Sequence, residues 1–108
     1  MANFKDREKG FENKFAHDQE MLFRINARRN RLVGEWAAGL MGLTDEETDA
    51  YAKAVVQADF EEAGDEDVVR KVLGDLVTAG QEVDEAAVRT KFEEMTVEAR
   101  RQLIEAMD

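Results

Sequence analysis

The stretch DREKGFENKFAHDQEMLFRINARRNRLVGEW, residues 6–36, decides the fold. With Phe4 just ahead of it, Phe4, Phe11, Phe15, Leu22, Ile25, Leu32 and Trp36 follow at steps of 7, 4, 7, 3, 7 and 4 residues. Those steps keep returning to one side of an α-helix, so the set draws a single apolar seam. Asp18 and Arg29 stand at the two seam positions where a further apolar residue is expected. The break at Asp18 divides the stretch. Ahead of it, three Phe residues are scattered among Asn3, Gly10, Asn13 and mixed charges; behind it, Met21, Leu22, Ile25, Leu32, Val33, Trp36 and Leu40 give a helix from about Asp18 to Met41 an apolar side.

Working outward, the next segments carry their own boundary signals. Gly42 followed by Leu43 reads as a C-terminal cap with its hydrophobic contact. Thr44-Asp45-Glu46-Glu47 is a capping box opening a second helix, with Tyr51, Ala52, Val55, Val56 and Phe60 on its inner face and Gly64 as its stop. Asp65 reads as the N-cap of a third helix, with Glu66 and Asp67 in its positive first turn. Val68, Val69, Val72, Leu73, Leu76 and Val77 face inward there until Gly80. Val83 and Val88 bracket Asp84 as a hydrophobic staple around the cap of a fourth helix, whose stripe is Val88, Phe92, Met95, Ala99 and Leu103. Helix, short turn, helix, with connections of two to five residues, makes successive helices antiparallel neighbours. The fold class is all-α: a compact four-helix domain, residues 18–108, with short connections and a flexible N-terminal arm, residues 1–17, disordered or partly helical when free.

Composition agrees. The chain has 108 residues, 44% of them hydrophobic, with no Pro and no Cys. That allows one domain with a modest core and excludes disulfides, thiolate metal sites and a Cys nucleophile. No apolar run approaches a membrane span, and the N-terminus lacks a signal peptide's apolar core. The net charge of −10 is unevenly spread: residues 1–33 carry 8 basic against 5 acidic side chains, and residues 34–108 carry 7 against 20. A basic leading segment on a strongly acidic body assigns separate tasks to the two parts. The acidic body is repelled by phosphate backbones and argues against nucleic acid as partner.

No catalytic constellation emerges. The carboxylates of residues 61–67 lack the alternating oxygen-ligand spacing of an EF-hand loop, and capping accounts for them. There is no phosphate-cradling Gly-rich loop, and His17 is the sole His, so neither a His pair nor a Ser-His-Asp set exists. The chain reads as a non-enzyme with no cofactor and no metal. Arg24, Arg28 and Arg31 share one side of the first helix at i, i+4 and i+7. They either grip an acidic partner or phosphate, or pair with the acidic helices beside them. The leading segment has the pattern of a helix that docks in a groove. Phe4, Phe11 and Phe15 are its anchors. Lys5, Arg7, Lys9 and Lys14 would meet an acidic rim, and Asp6, Glu8 and Glu12 would pair along the helix or with a partner's Arg residues.

The blocks DREK (6–9), FENKFAHD (11–18), ARRNRL (27–32), EWAAGL (35–40) and AYAKAVVQADFEEAGDEDVVRKV (50–72) resemble the zeta subunit of alphaproteobacterial F-type ATP synthases. The similarity covers almost the whole chain and is loosest in the fourth helix. It implies an ATPase inhibitor with a four-helix body and a mobile N-terminal inhibitory segment. That segment enters a catalytic interface of the α/β head near the central stalk, folds into a helix and blocks hydrolysis, while synthesis is much less impeded. The implied partners are the α, β and central-stalk subunits. The implied place is cytoplasmic, on the ATP synthase head at the inner membrane, with no direct membrane insertion and a monomer when free. The inhibitory segment corresponds to Ala2 to about Asp18, with matching positions at Asp6, Arg7, Glu8, Lys9, Phe11, Glu12, Asn13, Lys14, Phe15, Ala16 and His17. Gly10 departs from the family, where Ala is more usual, and lowers the arm's helicity by about 1 kcal/mol. An alternative of another class is a helical adaptor or small-ligand sensor acting through the four-helix body.

Overall fold

The computed structural model describes the backbone of residues 4–61 and 65–106, and the side chains of residues 19–58 and 65–106. The elements are α1 (Phe4–Met41), α2 (Asp45–Glu61), α3 (Asp65–Thr78) and α4 (Glu85–Ala106). This is the all-α, four-helix arrangement expected. The first helix differs from expectation at its start: it runs unbroken from Phe4 instead of beginning near Asp18. The apolar steps stay in phase across Asp18 and no Pro interrupts them, so a single helical path accommodates both halves of the seam.

The boundaries follow local chemistry. At Gly42, φ is +72°, and Leu43 N–H donates to Ala38 C=O at 3.1 Å while Gly42 N–H donates to Gly39 C=O at 3.2 Å. This is the paired bonding of a Schellman cap, which needs a left-handed residue that Gly adopts without a Cβ penalty. Gly80 repeats it at the end of α3, with φ +82° and Gln81 N–H bonded to Leu76 C=O. The Thr44–Glu47 box is closed in both directions, Glu47 N–H to Thr44 Oγ1 at 3.2 Å and Thr44 N–H to Glu47 Oε1 at 2.9 Å. Ala87 N–H donates to Asp84 Oδ1 at 2.8 Å, and Val83 packs on the core beside buried Val88, as a staple requires. Asp65 is the first residue of α3, and its carboxylate accepts from Arg29 of α1. The α3–α4 connection is residues 79–84, one longer than expected.

α1 packs against all three other helices. The core consists of Val33 and Ala37 from α1, Val55 from α2, Val68, Val69, Val72 and Leu76 from α3, and Val88 and Phe92 from α4. Trp36, Met41, Tyr51, Leu73, Val83 and Met95 close around it. Each fully buried Val or Leu contributes roughly 1.5–3 kcal/mol relative to exposure. Gly34 sets the α1–α2 distance: a Cβ added there would lie 2.9 Å from the Ala52 Cα. Tyr51 donates to Asp75 Oδ2 at 2.8 Å, and Lys71 reaches the same oxygen, fastening α2 to α3. Burial, reinforced by Asp75, raises the Tyr51 hydroxyl above its ordinary pKa, so it stays a donor.

Three apolar positions expected inside are outside: Leu22 is 54% exposed, Leu40 39% and Val77 58%. The reverse holds for Arg29, a seam position that the fold buries to 4% exposure. Phe60 and Gly64 lie outside the residues whose side chains are described.

Candidate functional site

The positions expected to bind a partner are Phe4, Lys5, Asp6, Arg7, Glu8, Lys9, Phe11, Glu12, Asn13, Lys14, Phe15 and His17. All fall on the leading turns of α1, and their side chains lie outside those described. What the described residues establish is the root from which those turns extend. From residue 19 onward, the first α1 side chain that the bundle buries is Ile25, 5% exposed. Leu22 and Phe23, at 54% and 55% exposure, face outward immediately before it. Helix lengths account for this. On the α2 side, that helix of 17 residues starts beside the end of α1 and rises about 26 Å, enough to cover α1 only back to roughly residue 24, while Leu103 of α4 lies on the other side near Phe23.

Arg29 fixes the root. Its guanidinium donates to Asn30 Oδ1 at 3.1 Å, Asn26 Oδ1 at 3.2 Å and Asp65 Oδ1 at 3.1 Å. It also lies 3.9 Å above the Phe92 ring centroid. One side chain thus joins α1 to the start of α3 and the middle of α4. Its charge is satisfied through planar, multiply directed bonding that Lys does not reproduce. The Asn30 amide is held by the Arg29 bond on its oxygen, while its buried Nδ2 has no hydrogen-bond partner among the described residues.

Beside the root lies an open cleft of about 510 Å³. Phe23, Ala27, Val56 and Leu103 give it an apolar floor, and Arg24, Arg28, Arg31 and Lys53 surround it. The structure therefore does bring the three α1 arginines to one place, and adds Lys53. Arg31 donates to Asp49 at 2.7 Å and Lys53 to the same carboxylate at 3.0 Å. Arg31, then Lys53, hold the Asp49 carboxyl below the usual range, and the Asp49 bond raises the Arg31 guanidinium. Arg24 pairs with Glu20 at 2.8 Å in an exposed i, i+4 contact. Arg28 has no ion-pair partner among the described residues. Both readings of the arginine face are thus partly met: some of its charge is matched internally and some is not. Spacing on α1 identified the three arginines. Lys53, Val56 and Leu103 join them only through packing, which left no local signal.

Among the described residues, no group of His, Asp and Glu clusters to hold a metal ion. No helix among them is long and apolar enough to cross a membrane. Among curated proteins, none matches this sequence. A solution NMR structure shares 50% sequence identity and superposes with a TM-score of 0.71, covering 80% of this chain and 98% of its own. The family profile described as ATPase inhibitor subunit zeta matches residues 1–102. Because that match runs from the leading turns of α1 well into α4, the chain belongs to the ATPase inhibitor subunit zeta family.

Proposed function

We propose that this chain inhibits ATP hydrolysis by F-type ATP synthase by inserting residues 1–17 as a helix at an α/β catalytic interface near the central stalk. Family membership supports the inhibitory role. The observation that carries the insertion is the exposure of the seam residue Leu22 on a helix whose first bundle-buried residue, from 19 onward, is Ile25. An apolar seam that continues beyond the reach of α2 needs another molecule to complete it. In this reading Phe4, Phe11 and Phe15 fill apolar pockets of the head. Lys5, Arg7, Lys9 and Lys14 meet its acidic rim, while Asp6, Glu8, Glu12, Asn13 and His17 supply polar contacts along the flanks. The body remains outside as the handle, and Arg29 keeps the helix aligned with it.

The mechanism is that of a wedge. The inserted helix occupies space that the interface must sweep during hydrolytic rotation, and no chemistry is asked of the inhibitor. Deleting residues 1–17 should leave the helical circular dichroism of the body intact and abolish inhibition of ATP hydrolysis by the purified synthase. Phe11→Ala and Phe15→Ala should each weaken inhibition by about 2 kcal/mol, as truncated aromatic anchors do. Undiminished inhibition by the deletion protein refutes the insertion.

A further inference from the structure

The cleft between α1 and α2 has a second feature besides its apolar floor. Arg24, Arg28 and Arg31 form a row along α1 that rises about 10 Å, and Lys53 stands opposite on α2. This cationic strip lies on a molecule whose residues 34–108 carry 20 acidic against 7 basic side chains. Its charge is incompletely matched: Arg31 pairs with Asp49 and, at 3.5 Å, with Glu35, Lys53 shares Asp49, Arg24 has an exposed pair with Glu20, and Arg28 has no ion-pair partner among the described residues.

From this arrangement we infer that the cleft is a docking groove for an acidic amphipathic helix of the ATP synthase head. That choice of partner rests on the inhibitory reading. A row of guanidiniums at i, i+4 and i+7 is matched by carboxylates at the same helical spacing on a neighbour laid alongside. The neighbour's adjacent apolar stripe covers Phe23, Val56 and Leu103. The chain's own leading segment is a poor occupant, because it continues α1 as one helix from Phe4 and so extends along the helix axis away from the cleft. The body thereby gains its own hold on the head, next to the point where α1 leaves the bundle.

The test uses the full chain, isotope-labelled, and two synthetic helical peptides. One carries Leu on one stripe and Glu at i, i+4 and i+7 beside it; the other has Lys in place of Glu. The Glu peptide should give saturable amide shifts centred on Phe23, Ala27, Arg28, Lys53 and Val56, and the Lys peptide none. Arg28→Glu with Lys53→Glu should weaken Glu-peptide binding by about 10-fold or more, and the milder Arg28→Gln with Lys53→Gln by less. Equal shifts from both peptides, or binding unchanged in the reversed variant, overturns the inference. Concentration-dependent shifts of the cleft in the free protein also overturn it, assigning the groove to a second copy. In hydrolysis assays the reversed variant, its arm intact, should need about 10-fold more protein for the same inhibition; unchanged potency overturns docking on the head. A protein lacking residues 1–17 should still bind the Glu peptide, so failure of the arm and failure of the groove are read separately.

Discussion

Two glycines in helix interiors invite the same substitution and should respond with opposite signs. Gly74 sits within α3 with open space where a Cβ would go, whereas a Cβ on Gly34 meets the Ala52 Cα at 2.9 Å and the Val55 Cγ2 at 3.3 Å. At Gly74, Ala removes the backbone-entropy cost of glycine and should stabilise the fold by about 1 kcal/mol. At Gly34 the same gain of about 1 kcal/mol is available. It is set against overpacking of roughly 1–3 kcal/mol, because the nearest atom belongs to the α2 backbone and no side chain can rotate away. The net at Gly34 should be a loss of up to about 2 kcal/mol, obtained by adding those two contributions. Urea unfolding followed by helical circular dichroism gives both numbers, and equal m-values would show that the denatured state is unchanged. If Gly34→Ala stabilises as much as Gly74→Ala, α1 and α2 do not approach as described. The small-residue seam of Gly34, Ala37, Ala38 and Ala52 would then lose its explanation.

Arg29→Met keeps much of the stem's packing over Phe92 but strips the buried Asn30 amide of its one bond; it should cost about 1–3 kcal/mol in the same urea assay, while Asp65, mostly exposed, returns to water. Gly10→Ala should raise the helicity of the leading segment and strengthen inhibition of hydrolysis by up to about five-fold, equivalent to about 1 kcal/mol; lower potency would argue against a helical arm. Stability should fall in acid: Glu98, held down to about 2 by Arg101 and then Gln102, and Glu66, lowered by Arg89, have folded-state values below the ordinary 4.5. Their contribution is complete above about pH 4.5 and is lost as pH drops through the folded values. The urea midpoint should therefore decline below about pH 4.5, and Glu98→Gln should flatten part of that decline.

How much of this was legible beforehand depends on distance along the chain. The Thr44–Glu47 box, the Gly42 and Gly80 caps and the Val83–Asp84–Val88 staple were readable because each is closed within one or two turns by the residues that announce it. Burial was less legible. Whether Leu22 or Val77 faces inward depends on where a different helix stops, and periodicity on its own helix carries no record of that. Gly34 reads as a weak helix residue until Ala52 is set against it. The Arg24, Arg28 and Arg31 row was visible as spacing, but the floor that turns it into a cleft comes from α2 and α4.

Arg29 shows why the seam could mislead and still be right. An arginine at an apolar step reads as a break, because an isolated buried charge is strongly unfavourable. The fold removes the penalty by supplying acceptors from Asn26, Asn30 and Asp65 and a ring face from Phe92, so the seam continues through the guanidinium. Two of those acceptors lie on α1 itself, Asn26 one turn back and Asn30 next in the chain, and the other two partners belong to α3 and α4. The polar step therefore fixes the orientation of α1 against the body more narrowly than an aliphatic side chain would, since bonding to Asp65 is directional and apolar packing is not. For a helix asked to present its leading turns to another machine, that directional anchor at the root matters more than one additional Leu in the core.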